Sequence, residues 1–292
     1  MPATQEINIQ KLGLIAGGGN LPAYLLSICK DKGIEPFIVG FDGQTDSELM
    51  DGHCHQWAEF GAVGKIISFF KSNDVTDLVM IGGVKRPPLT QIKPDLKAVK
   101  ILSRLGLRAL GDNDLLSVLK EELEGEGFTL HGIQDFCDRL LVQEGALGRF
   151  QPEADDWIDI ELGLKVSQEI GSLDIGQSVI VQNGMIVGVE AVEGTDALID
   201  RCSALQQNGR GGILIKTRKP QQDKALDMPT IGVQTIVNAH KAGLAGIVLH
   251  ANNVIVADIK TVAKYADKYK LFVIGAPIDK KSKSVTERTP KA

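Results

Sequence analysis

KLGLIAGGGNLPAYLLSICKDKG, Lys11 to Gly33, runs from an apolar segment through three glycines into a segment with Pro22 near its start and Gly33 at its end. Leu12 to Ala16 is expected to be a buried strand. Proline suits the first turn of a helix, where its missing N–H would have no partner, and glycine suits the stop. The stretch therefore reads as strand, tight turn and helix. The pattern recurs downstream: PFIVGF (Pro36–Phe41) reads as a second strand and DLVMIGG (Asp77–Gly83) as a third that again ends in glycines. Between them, VGKIISFFKSN (Val63–Asn73) is an amphipathic helix with Ile66, Ile67, Phe69 and Phe70 toward a core. Strands and helices in alternation imply a parallel sheet with right-handed crossovers. Two helical segments follow, around Asp95–Leu105 and Asn113–Glu124.

The second half has a different grammar. GALGRFQPEADDW (Gly145–Trp157) mixes glycine, proline and acids as linkers do, and a helix is expected over Trp157–Ile170. In GQSVIVQNGMIVGVEAVEG two apolar runs flank Asn183-Gly184, a strong hairpin signal. A helix over TDALIDRCSALQQNG, a strand at GGILIK, a helix from Gly232, a strand at Gly246–His250 and a last helix–strand pair ending at LFVIGAP complete it. The expected fold is α/β in two domains: an N-terminal Rossmann-like parallel sheet over 1–145 and a smaller mixed α/β domain over 158–278. Residues 146–157 would link them, and the polar 279–292 would form a flexible tail.

With 292 residues, 43% of them hydrophobic, the chain can bury two cores. Mean hydropathy is near zero, and no apolar run approaches the ~20 residues that span a bilayer. The first residues, MPATQEINIQ, lack the features of a signal peptide. A net charge of -5 and 5% aromatics argue against nucleic-acid binding. Cys29, Cys54, Cys137 and Cys202 are scattered, which fits buried thiols in a reducing cytoplasm. His53-Cys54-His55 is the sole ligand-like cluster, and without distant partners it reads as a loop.

Residues with chemistry gather at the strand ends. Gly17-Gly18-Gly19-Asn20 resembles a phosphate cradle, since glycine lets backbone N–H groups approach an anion ahead of a helix N-terminus. It does not satisfy G-x-G-x-x-G, because Pro22 stands at the last glycine, and a structural turn explains it equally well. Asp42 could meet a ribose hydroxyl. In GGVKRPP (Gly82–Pro88), Lys85 and Arg86 could neutralise a phosphate or be ordinary surface cations. GDNDLL (Gly111–Leu116) reads as a helix cap. VEAVEGTD (Val189–Asp196) sets Glu190, Glu193 and Asp196 close together, either for a hydrated Mg²⁺ or, for Asp196, as capping ahead of a helix that Thr195 opens. KTRKPQQDKALDMPTIG (Lys216–Gly232) follows a strand and brings Lys216, Arg218, Lys219 and Lys224 near Asp223 and Asp227. Flanking Leu226 and Met228 imply that Asp227 is partly buried, where a carboxylate stays charged only beside cations, a metal or donors.

Taken in order, AGGGNLP, GGVKRP, GDNDLL, EAVEGTD and KPQQDKALDMPTIG resemble the metal-dependent UDP-2,3-diacylglucosamine pyrophosphatases of lipid A biosynthesis, in the LpxI-type form found in many alphaproteobacteria. The resemblance runs from about Lys11 to Pro277. It implies hydrolysis of UDP-2,3-diacylglucosamine to UMP and 2,3-diacylglucosamine 1-phosphate, with attack at the phosphorus nearer the sugar. The essential aspartate lies in its D-[LM]-P-x-I-G motif, here Asp227. Dependence on Mg²⁺ (or Mn²⁺), a homodimer and a lipid held between two domains are implied as well. Lys224 stands where the family more often has arginine, so it lacks the bidentate grip on phosphate.

The expected site thus has Asp227 as catalytic residue, acting as general base or metal ligand. Gly17, Gly18, Gly19, Asn20, Lys85, Arg86, Thr195, Lys216, Lys219, Gln222 and Asp223 are candidates for binding substrate and phosphate. Asp227, Glu193 and Asp196 are candidate metal ligands. A cytoplasmic protein visiting the inner-membrane surface is expected, helped by the basic tail. The alternatives are an NAD(P)-dependent oxidoreductase with a divergent glycine turn and a sugar-nucleotide-binding module without turnover.

Overall fold

A computed structural model describes residues 9–84, 92–105 and 112–278. The chain divides into two compact units, one made of 1–139 with 221–228 and the other of 140–220 with 229–292.

The first unit contains β1 (Lys11–Ala16), α1 (Leu21–Lys32), β2 (Glu35–Phe41), β3 (Cys54–Ala58), α2 (Val63–Ser72), β4 (Asp77–Ile81), α3 (Leu96–Leu105), α4 (Asp112–Gly125) and β5 (Thr129–His131). Its sheet has the order β3-β2-β1-β4-β5, and every pairing is parallel. Leu12, Leu14 and Ala16 of β1 are fully buried because helices cover both faces, which is why the strand reads as an apolar run. Gly33 ends α1 at φ 69°, its N–H reaching the carbonyls of Cys29 and Lys30. His53-Cys54-His55, expected in a loop, opens the edge strand β3 instead. Cys54 and His55 are exposed there, and main-chain pairing to β2 rather than apolar burial makes the strand.

The second unit contains β6 (Gly145–Ala146), α5 (Asp156–Ser172), β7 (Ser178–Gln182), β8 (Met185–Val189), α6 (Thr195–Cys202), β9 (Ile213–Lys216), β10 (Thr230–Ile231), α7 (Val233–Lys241), β11 (Gly246–His250), β12 (Ile255–Val256), α8 (Ile259–Tyr269) and β13 (Phe272–Ala276). The main sheet runs β6-β13-β11-β9-β7-β8 and is mixed: β13, β11 and β9 are mutually parallel, while β7, β8 and β6 run antiparallel to their neighbours. Asn183 (φ 53°) and Gly184 (φ 73°) form the hairpin turn, the positive φ at both positions being what Asn-Gly supplies. Asp159 of α5 accepts from both turn amides at 2.8 and 2.6 Å and ties hairpin to helix.

The units part between Arg139 and Leu140, ahead of the 146–157 stretch expected to link them. That stretch belongs to the second unit: Ala146 pairs with Ile274, and Asp156 holds Arg210 through two hydrogen bonds of 2.6 and 2.7 Å.

Candidate active site

Open parallel sheets bind ligands beyond the carboxyl ends of their strands, where the strand order reverses. In the first unit that point lies between β1 and β4, and the two glycine turns meet there. Gly18 and Gly83 exchange backbone hydrogen bonds of 2.8 and 3.0 Å, and the Gly17 amide donates to Ile81 at 2.8 Å. A Cβ at Gly17 would lie 2.6 Å from the Gly83 carbonyl oxygen, so only glycine permits this approach. The Gly17 and Gly18 amides are spent within the chain. Gly19, Asn20 and the first turn of α1 remain as the part of the turn able to meet an anion. Lys85 and Arg86 lie outside the described residues.

Residues 221–228 leave the second unit and belong to the first. Leu226 is buried in the same cluster as Phe41, Ala58 and Phe70. Asp223 shapes the turn: its Oδ1 accepts from the Ala225 amide at 2.8 Å, and its carbonyl accepts from Leu226 and Asp227 at 3.2 Å. Its Oδ2 takes a 2.5 Å hydrogen bond from Lys120 of α4, and that bond foremost holds the Lys120 ammonium above its usual range. Gln134, beyond β5, donates to the Lys224 carbonyl at 3.1 Å. Gln222 is buried and donates Nε2–H to Asp227 Oδ2 at 2.6 Å. Asp227 itself is exposed, not partly buried as its neighbours implied. Leu226 and Met228 take the buried positions on either side, which turns the carboxylate between them outward.

The cations just upstream are anchored within the second unit. Arg218 Nε donates to Asn253 Oδ1 at 3.1 Å, and Lys219 Nζ pairs with Asp174 at 2.6 Å. Between Lys216 and Arg218, Thr217 is fixed by Gln168 and Ser167 of α5. Lys216 is 4% exposed, and its ammonium donates to Thr195 Oγ1 at 2.6 Å.

Within the second unit, the carboxylates of the acid-rich turn have partners of their own. Glu193 Oε1 is held by Arg201 at 2.9 and 3.1 Å, and its Oε2 accepts from the Ala191 amide at 3.0 Å. Its carboxyl lies below the usual range, through hydrogen bonding to its own backbone amide first and Arg201 second. Asp196 lies 3.4 Å from the Thr235 hydroxyl. Among the described residues, no three His, Cys, Asp or Glu side chains gather as a metal site. Asp227 remains as a single exposed carboxylate.

Residues 11–140 match the family model of the LpxI N-terminal domain, and residues 143–274 that of the LpxI C-terminal domain. UDP-2,3-diacylglucosamine pyrophosphatase LpxI of Caulobacter vibrioides is 38% identical over 274 residues, covering 91% of this chain and 98% of that protein. The chain belongs to the LpxI family. The two LpxI domains meet between residues 140 and 143, next to the division between units. In this LpxI chain the motif around Asp227 was readable from sequence. Lys120 and Gln134, which hold the motif, and Ser178, which meets the Thr195 hydroxyl that Lys216 also contacts, were not, because each acts through a partner remote in sequence.

Proposed function

We propose that the protein hydrolyses the pyrophosphate of UDP-2,3-diacylglucosamine, releasing UMP and 2,3-diacylglucosamine 1-phosphate. The observation that carries this reading is the exposed Asp227 carboxylate, oriented by Gln222 on a segment that Leu226 and Asp223 fasten to the first unit. The named activity of the Caulobacter relative supplies the substrate class. Water must add to one phosphorus as the bridging oxygen leaves with the other. Asp227 takes the proton from that water or holds the ion that activates it. Gln222 donates to one carboxylate oxygen of Asp227 and so orients the group. The Gly19–Asn20 end of the glycine turn offers main-chain donors to the nucleotide. A divalent ion held by Asp227 would neutralise charge on the diphosphate.

The test is UMP release from UDP-2,3-diacylglucosamine by the pure protein, run in ¹⁸O-water to locate the attacked phosphorus. Label in the sugar phosphate reports attack nearer the sugar, and absence of UMP defeats the reading. Chelation by EDTA abolishes turnover and Mg²⁺ or Mn²⁺ restores it; full activity after exhaustive chelation removes the metal. A homodimer and transient contact with the inner-membrane surface are parts of the same proposal. Sedimentation velocity checks the first, and flotation with vesicles carrying the substrate checks the second. Among the described residues no helix is long and apolar enough to cross a membrane.

A further inference from the structure

We infer that Glu190 is a positioning residue for the reaction proposed above. Acting through the hydroxyl of Thr195, it sets the Lys216 ammonium so that part of its donor capacity is kept for the substrate's anionic group.

Sheet register assembles the parts. Ser178 on β7 lies directly across from Lys216 on β9, and on its other side the Glu190 amide, just past β8, donates to the Ser178 carbonyl at 2.9 Å. Thr195, the first residue of α6, closes the group. Thr195 Oγ1 receives Lys216 Nζ at 2.6 Å, lies 3.1 Å from Glu190 Oε1 and 3.2 Å from Ser178 Oγ. The ammonium can only donate and an ionised carboxylate can only accept. The single Thr195 proton therefore goes to Glu190, and the two lone pairs face Lys216 and Ser178. Every valence of that oxygen is used, and the direction of each bond follows from the charges at the two ends.

Stability alone does not account for this choice. Lys216 is 4% and Glu190 6% exposed, and burying two charges costs free energy that a hydrophobic pair would avoid. If the two served only each other, direct contact would serve best. Instead a hydroxyl separates them, and no carboxylate pairs with Lys216 directly among the described residues. Lys216 thus keeps two of its three N–H donors beyond the one given to Thr195. Glu190 Oε2 is buried with no partner. The carboxylate balances the ammonium at one remove without occupying it, at the carboxyl end of a strand where α/β sheets bind ligands.

The experiment measures kcat and KM for UMP release by wild type, Glu190→Gln, Lys216→Met and the double variant, with circular dichroism and thermal melting as folding controls. Glutamine keeps the shape but removes the charge, and its amide can turn an N–H toward Thr195. Glu190→Gln is expected to lower kcat/KM about tenfold, mainly by raising KM, and Lys216→Met roughly a hundredfold. The double variant should match Lys216→Met within about threefold, because Glu190 acts through that ammonium. Losses that multiply, or a Glu190→Gln rate within about twofold of wild type, overturn the inference while leaving the reaction intact. A wild type that releases no UMP defeats both. Should Glu190→Gln not fold, Thr195→Val against Thr195→Ser decides. Serine keeps the hydroxyl and should recover most of what valine loses, and equal loss in both overturns the relay.

Discussion

Lys216 to Pro220 and Gln221 to Met228 read as one motif, yet they belong to different units and are held in opposite ways. In the first half the polar side chains are tied down individually: Lys216 to Thr195, Thr217 to Gln168, Arg218 to Asn253 and Lys219 to Asp174. In the second half, anchoring and chemistry are separated. Leu226 and Met228 supply burial, Asp223 supplies the turn, and Asp227 stands exposed with Gln222 on one oxygen. Charge density in a sequence therefore says little about which charge acts. A lysine paired with a carboxylate, as Lys219 is with Asp174 at 2.6 Å, has part of its donor capacity committed, whereas Lys216 meets a hydroxyl instead.

The largest expected effect tests the exposed half. Asp227→Ala should reduce UMP release by about 10²–10⁴-fold with an unchanged circular dichroism spectrum, as loss of a general base does. A folded variant keeping more than about a tenth of the rate would break the assignment. Next comes its anchor. Leu226→Ala removes a core side chain and should cost about 2–5 kcal/mol in a urea melt of the first unit. It should also lower turnover, though Leu226 touches no substrate. If stability falls while kcat does not, the segment needs no fastening and the contrast between anchor and actor fails.

A third test uses the Lys120–Asp223 pin. The Lys120 pKa is raised in the folded state, chiefly by its hydrogen bond to Asp223. Its contribution is thus fully present below the unfolded lysine value and is lost as pH rises through the higher folded value. Protection factors across 221–228, taken against the base-catalysed intrinsic exchange rate, should fall only at strongly alkaline pH in wild type, and already at neutral pH in Lys120→Gln. Equal protection in both proteins at neutral pH would show that the pin is idle. The smallest effect belongs to the other half. Lys219→Met breaks a pair with Asp174 and should lower stability by about 1 kcal/mol or less, as partly exposed pairs do. A large rise in KM with unchanged melting would instead return Lys219 to the substrate.

Elements were legible where local chemistry decides them. β1, β2 and β4 are apolar because both sheet faces are covered, and the Asn183-Gly184 hairpin announces itself by two residues that tolerate positive φ. Strands β3, CHQWA, and β5, TLH, were not legible. Both are edge strands made by main-chain pairing to one neighbour, which leaves no apolar period to read. At the site, the Asp227 motif stood out as a motif. Its exposure did not, because the flanking Leu226 and Met228 argued for burial and were themselves the residues buried.

By itself the sequence determined the parallel layout of the first sheet, the hairpin of the second and the motif that carries Asp227, since periodicity, turn conformers and short motifs are properties of neighbouring residues. Only the tertiary structure decided which charges are committed. Glu193 goes to Arg201, Lys219 to Asp174 and Asp223 to Lys120, while Lys216 reaches Glu190 through Thr195. Partnership between charges is a matter of roughly 3 Å. Whether two residues come that close is set by strand register and by where a segment packs, as with Ser178 opposite Lys216 and Leu226 in the core of the first unit.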